Sequence, residues 1–159
     1  KGSDLQDVDL VLLGASTWDF GQLQADWDVV LDEIATFDWR GRRVALFGQG
    51  DQMVYEDTYL DALGTIAEQL EPRGARLFGA WPAAGYAGVT SRALRGDHFV
   101  GLALDEDNEH DATKERIDTW VRALADAVAH ELDSGSSSAA RASGAAVQAT
   151  SLDAVLEPA

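Results

Sequence analysis

Two short segments carry residue types that fit the capture of a flat ring. Ser16-Thr17-Trp18-Asp19-Phe20-Gly21 follows one apolar run, and Gly48-Gln49-Gly50-Asp51-Gln52-Met53-Val54-Tyr55 follows another. A large aromatic residue on a strand-end loop is oddly placed for the core. Two of them on neighbouring loops can sandwich a planar heteroaromatic by offset stacking. The glycines let backbone approach a ligand closely and offer bare N–H and C=O groups. Each feature alone has a plainer reading. Trp18 can cap the edge of the core, Tyr55 can open a helix, and Gly48 and Gly50 match neither a Walker loop nor a G-x-G-x-x-G fingerprint. Only the combination points to chemistry.

Other chemistries find no support. Asp105-Glu106-Asp107-Asn108-Glu109-His110-Asp111 is rich in oxygen ligands, but an EF-hand loop begun at Asp105 would place His110 where Gly is required and Arg116 where Glu is required. It reads as a solvated acidic turn. His98, His110 and His130 lack metal-ligand spacing, and the chain has no Cys, so no metal site, thiolate-held cluster or redox thiol is expected. Ser16 is not in a G-x-S-x-G elbow. Trp27, Trp39, Trp81 and Trp120 are expected to be structural.

Apolar runs alternate with helical patterns, which predicts an α/β domain on a parallel sheet. Val8–Ala15 and Arg43–Gly48 read as buried strands feeding the two loops. Leu23, Trp27, Val30, Leu31 and Ile34 make one apolar helical face. A helix is expected from about Glu56 to Leu70, with Leu60, Leu63, Ala67 and Leu70 inward and Pro72 and Gly74 as stops. Ala75–Gly79 starts a further strand, and Phe99–Leu104 is its continuation or a neighbour. The last helix, about Thr113 to Leu132, aligns Ile117, Trp120, Val121, Leu124 and Val128. From Asp133 to Thr150 the chain is mostly Ser, Ala and Gly with a single Arg, which reads as a flexible linker. Leu152–Leu156 can form a short terminal turn. The expected division is therefore a domain over 1–132 and a tail over 133–159.

The chain has 159 residues, 46% of them apolar, with 28 acidic against 12 basic side chains and a formal charge of −16. A field of that sign disfavours nucleic acid and anionic membrane, and steers toward basic protein surfaces. With 19 Asp, 10 Arg and 2 Lys, the excess also fits adaptation to a salty cytoplasm. No apolar run approaches the ~18 residues of a membrane span, and the N-terminus lacks a secretory pattern, so a cytoplasmic location is expected.

Taken together, STWDFGQLQADW (16–27), VALFGQGDQ (44–52) with Tyr55, YLDALGTI (59–66), EPRGARLFGAWPAAGY (71–86) and HFVGLALDEDN (98–108) closely resemble the long-chain flavodoxins of bacteria and algae. The resemblance runs from about Ser3 to Leu132. It implies a three-layer α/β fold, a flavodoxin-like open parallel sheet with helices on both faces, and a low-potential one-electron carrier using FMN rather than an enzyme. By that resemblance Trp18 stacks on the inner face of the isoalloxazine and Tyr55 on the outer face. Ser16, Thr17, Asp19, Phe20 and Gly21 belong to the first ring loop, and Gln49, Gly50 and Asp51 to the second. The Asp19–Phe20 peptide is the one able to turn its carbonyl toward the flavin N5–H. Residues 80–98 match the insertion that splits the last strand of long-chain members. The family's first strand, phosphate loop, first helix and second strand find no match, so the domain is expected to be incomplete at its N-terminus and to retain FMN weakly. Expected partners are basic surfaces of redox proteins such as flavodoxin/ferredoxin-NADP reductase, the domain being a monomer when complete. The alternatives are an FMN-dependent quinone or azo reductase of the same fold, and a flavin-free remnant that docks on a basic partner.

Overall fold

The structure is a computed structural model that describes residues 8–86 and 88–149. The first apolar run forms β1 (Val11–Ser16), which pairs in parallel with β2 (Arg43–Gln49), Val11 opposite Val44 and Ser16 opposite Gln49. Because side chains alternate along a strand, Val11, Leu13 and Ala15 share one face with Val44, Leu46 and Gly48. That face forms the larger core with α1 (Trp27–Thr36) and α2 (Asp61–Leu70).

The far edge of β2 is filled by two pieces in succession. Strand β3 (Arg76–Phe78) pairs in parallel with Arg43–Ala45. The chain then leaves the sheet and builds a small antiparallel one from β4 (Trp81–Pro82), β5 (Leu94–Arg95) and β6 (His98–Phe99), in the order β4-β6-β5. It returns as β7 (Leu102–Leu104), parallel to Phe47–Gln49. Residues 99–104 thus contain the continuation of an interrupted edge strand. Departure is set at Gly79, where φ is +75° and a Cβ would lie 2.6 Å from Trp120 Nε1. That indole N–H donates to the Gly79 carbonyl at 2.6 Å. Ion pairs Arg92–Glu68 and Arg95–Glu71 fasten the excursion to α2 and the 3-10 turn after it.

The other sheet face carries Ala45, Leu102 and Leu104, covered by Trp120 and Leu124 of α3 (His110–Ala149). The result is a helix–sheet–helix sandwich. Trp27, Trp39 and Trp120 are buried as expected, with Trp39 Nε1 donating to the Ile34 carbonyl at 2.9 Å; Trp81 is half-buried.

Several boundaries and faces differ from the sequence expectation. Helix α2 begins at Asp61 rather than near Glu56, because Leu60 sits at φ +59°, which no right-handed helix can include. Val30 of α1 and Ile117 and Val121 of α3 are exposed, since each helix buries a narrower stripe than its spacing allowed. No break falls at Asp133: helical backbone continues to Ala149, in keeping with the high helix propensity of its many alanines. Two compact units divide at Leu124/Ala125, the second holding the rest of α3. The Leu152–Leu156 turn lies outside the described residues.

Candidate functional site

Both candidate loops leave the carboxyl ends of adjacent parallel strands, where open α/β sheets bind ligands. At their base they are joined: Thr17 N–H donates to the Gln49 carbonyl at 2.8 Å, one step beyond the β1–β2 register. The first loop then closes on itself. Trp18 and Gln22 exchange two backbone hydrogen bonds of 2.8 Å, leaving Asp19, Phe20 and Gly21 as a three-residue tip. Such a tip demands left-handed backbone, found at Asp19 (φ +45°) and Gly21 (φ +91°). At Gly21 a Cβ would stand 2.9 Å from Asp61 Oδ2, so conformation and space both call for glycine.

The second loop is a turn in which Tyr55 N–H reaches the Asp51 carbonyl at 3.1 Å. The Asp51 carboxylate lies inside it, Oδ1 accepting from Met53 N–H and Val54 N–H at 2.9 Å each and from Asn108 Nδ2 at 2.8 Å. These bonds, the Val54 one foremost, hold its carboxyl below the usual aspartate range. Gly50 N–H donates to the Leu104 carbonyl, which also accepts from buried Tyr59 Oη at 3.0 Å. Burial raises the Tyr59 phenol far above its ordinary value, so it stays a neutral donor. It stacks on Tyr86, 5.6 Å between centroids, and both meet Phe99 edge-on beneath the loop.

All ten residues singled out in the sequence lie on this rim. Ser16 and Gln49, with Gly14, Ala15, Gln24, Phe47, Gly48 and Leu104, line a cavity of about 210 Å³ at the strand ends. The aromatic residues face outward: Trp18 is 54% exposed, Phe20 82% and Tyr55 38%. Phe20 and Tyr55 bring the two tips together, their rings edge to face at 6.1 Å. Beside Trp18, the buried Thr17 hydroxyl has no hydrogen-bond partner among the described residues. Exposed aromatic faces on two loops fit a planar ligand.

Comparison with known proteins settles the lineage. The sequence profile of the Flavodoxin family matches residues 2–120. The chain belongs to the flavodoxin family. It is 44% identical over 122 residues to the flavodoxin of Synechococcus elongatus, covering 77% of this chain and 72% of that one. It is 47% identical over 124 residues to flavodoxin 1 of Escherichia coli K12, covering 77% and 70%. Among solved structures, the Fusobacterium nucleatum flavodoxin bound to flavin mononucleotide superposes with a TM-score of 0.70 at 24% identity, over 76% of this chain and 72% of that one, and so shares the fold.

The acidic turn is not solvated throughout, as its composition had suggested. Glu106, Asp107 and Asn108 are at least partly in solvent, but Asp105 is fully buried. Its carboxylate accepts from Gln52 N–H at 3.1 Å, Asn108 N–H at 3.0 Å and Asn108 Nδ2 at about 3 Å. Sequence reasoning missed this link between the turn and the second loop. The legible signal was an Asp-x-x-Asn directly after an apolar strand, a pattern that folds a carboxylate back on its own turn. Among the described residues no cluster of three or more His, Cys, Asp or Glu could hold a metal, and no helix is long and apolar enough to cross a membrane.

Proposed function

We propose that the chain is a one-electron carrier of the long-chain flavodoxin type, working with FMN held between Trp18 and Tyr55. The observation that carries the reading is the placement of these two exposed rings on joined strand-end loops in a chain of this family. FMN supplies the redox chemistry, and the chain's own groups bind the ring and set its potential. Trp18 and Tyr55 supply stacking area. The loop backbones at Asp19–Gly21 and Gln49–Asp51 face the ring edge. The excursion between β3 and β7, which splits one edge strand, supports the long-chain assignment.

Asp19, Asp51, Glu56 and Asp57 surround the rim with negative charge. Two unit charges ~10 Å apart at an effective dielectric of ~20 interact by about 1.7 kcal/mol, so a few carboxylates near the ring disfavour added negative charge and lower its potential. The same field selects redox partners with basic docking faces. Titration of FMN with the full chain tests the reading. Stacking on Trp18 and Tyr55 is expected to quench flavin fluorescence, with much less quenching in Trp18→Ala. Flavin that stays fully fluorescent across the titration overturns it, and steady NAD(P)H oxidation by the loaded chain would favour a reductase instead.

A further inference from the structure

We propose that Asp105 and Asn108, which lie outside both ring loops, are positioning residues that lock the second loop into its flavin-facing form. The two side chains build a clasp across 57 positions of sequence. Buried Asp105 holds the Gln52 amide, and its Oδ1 and Oδ2 both accept from Asn108 Nδ2. That same amide nitrogen reaches out to Asp51 Oδ1, the atom that already caps Met53 and Val54. One neutral donor therefore sits between two carboxylates and keeps them from facing each other bare. A second strut runs in parallel, Gln52 Nε2 to Glu109 at 2.7 Å, and Glu109 is itself held by Arg116 at 2.8 Å. Every strut ends on the segment 51–54, whose own side chains Met53 and Val54 are about 70% exposed and give it little packing. The loop's shape is thus set jointly by its own Asp51 and by the β7–α3 turn, and hydrogen bonds to charged acceptors are the stronger kind.

The inference rests on the flavin reading above, so its test needs one readout with flavin and one without. The full chain is compared with Asn108→Ala, Asn108→Asp and the double variant Asn108→Asp/Asp51→Asn, with circular dichroism confirming the fold. The flavin-free readout is amide exchange at Gln52, Met53 and Val54, expected to speed up about tenfold in Asn108→Ala, as loss of the charge-assisted bond from Asn108 to the loop's Asp51 implies. The second is fluorescence titration with lumiflavin, the ring without its ribityl phosphate, expected to bind about tenfold more weakly to the same variant. Asn108→Asp is expected to be worse, since three carboxylates then meet. The double variant recovers part of the loss, because the amide–carboxylate pair is restored with its members exchanged, which a merely structural role would not produce. Unchanged exchange in Asn108→Ala overturns the clasp. Faster exchange with unchanged lumiflavin binding overturns its role in positioning. A parent chain that does not quench lumiflavin sinks the carrier reading and the positioning role with it, while the exchange result separates that failure from a clasp that never formed.

Discussion

The tip Asp19–Phe20–Gly21 is closed by its own backbone, through the reciprocal Trp18–Gln22 bonds, and two of its three residues have positive φ. The loop 51–55 has no residue at positive φ and is instead tied down by side chains of Asp51, Asp105 and Asn108. A tip closed by backbone bonds at its neck, which touches its surroundings through the Phe20 ring and the Gly21 backbone, can reorient the Asp19–Phe20 peptide without breaking a tertiary hydrogen bond among the described residues. A loop pinned by a distant carboxylate cannot. On one rim, therefore, the molecule has a compliant wall and a fixed wall, and a guest between them meets one side that adapts and one that sets its position.

The largest effect is expected where the fixed wall is anchored. Asp105→Ala removes the acceptor for two backbone N–H groups and the Asn108 amide at a site with no solvent access. Stranding buried donors is expected to cost roughly 3 kcal/mol, read as a lower urea midpoint of unfolding. A loss below about 0.5 kcal/mol, the size of an ordinary surface substitution, would mean that the loop is held by something else.

On the compliant wall the corresponding break is steric. Gly21→Ala must place a Cβ 2.9 Å from Asp61 Oδ2 at φ +91°. Moving Asp61 away is not free, since its other oxygen accepts the Arg92 N–H at 2.7 Å. An expected cost of about 1–2 kcal/mol follows from the strained backbone alone. Thermal unfolding together with the FMN titration would record it. An alanine that is tolerated without change in either would show that the tip has more room than its neck bonds imply.

How much of this contrast was visible before the fold was known differs between the two walls. The first is local, and its aromatic and glycine residues stand within six positions of one another. The strands beneath both loops were legible as apolar runs, although only β2 is flanked on both sides among the described residues; β1 ends the described sheet and leaves Leu12 exposed, so it is less buried than its apolar run suggested. The interrupted edge strand was half legible: Phe99–Leu104 could be read as continuation or neighbour, and only its register on Phe47–Gln49 decides. The anchor of the second wall was misread. A carboxylate in a run of acidic residues looks solvated, and nothing local says that the Gln52 backbone N–H, more than fifty positions earlier, comes back to cover it. Leu60 was missed for a related reason, since a leucine with left-handed backbone violates its own propensity and is held there by a fully buried environment.

A gentler perturbation of the fixed wall comes from acid. The folded-state pKa of Asp51 lies below its ordinary value of 3.8, because the charged form accepts the Val54, Asn108 and Met53 donors. The sign follows from linkage: the contribution is complete above the unfolded pKa and is lost as pH falls through the lower folded value. A carboxyl NMR titration of Asp51 is expected to show a midpoint below 3.8, with flavin affinity flat from neutral pH down to that range. A midpoint at or above 3.8 would mean that the turn does not grip its carboxylate.

The smallest stability effect, and the sharpest test of compliance, is Asp19→Gly. Aspartate tolerates left-handed backbone better than most residues, and glycine relieves the remaining strain while adding freedom to the unfolded chain. These terms oppose each other, so thermal stability is expected to change by less than about 0.5 kcal/mol. The peptide that Asp19 shares with Phe20 nevertheless becomes easier to turn, and its carbonyl is the one facing the ring edge in the proposed complex. The separation between the first and second one-electron midpoint potentials of the FMN-loaded chain is therefore expected to shift, while the equivalent exchange on the fixed wall, Met53→Gly, leaves it nearly unchanged. Equal shifts from both would mean that the two loops yield alike, and the contrast between them would have no bearing on the flavin.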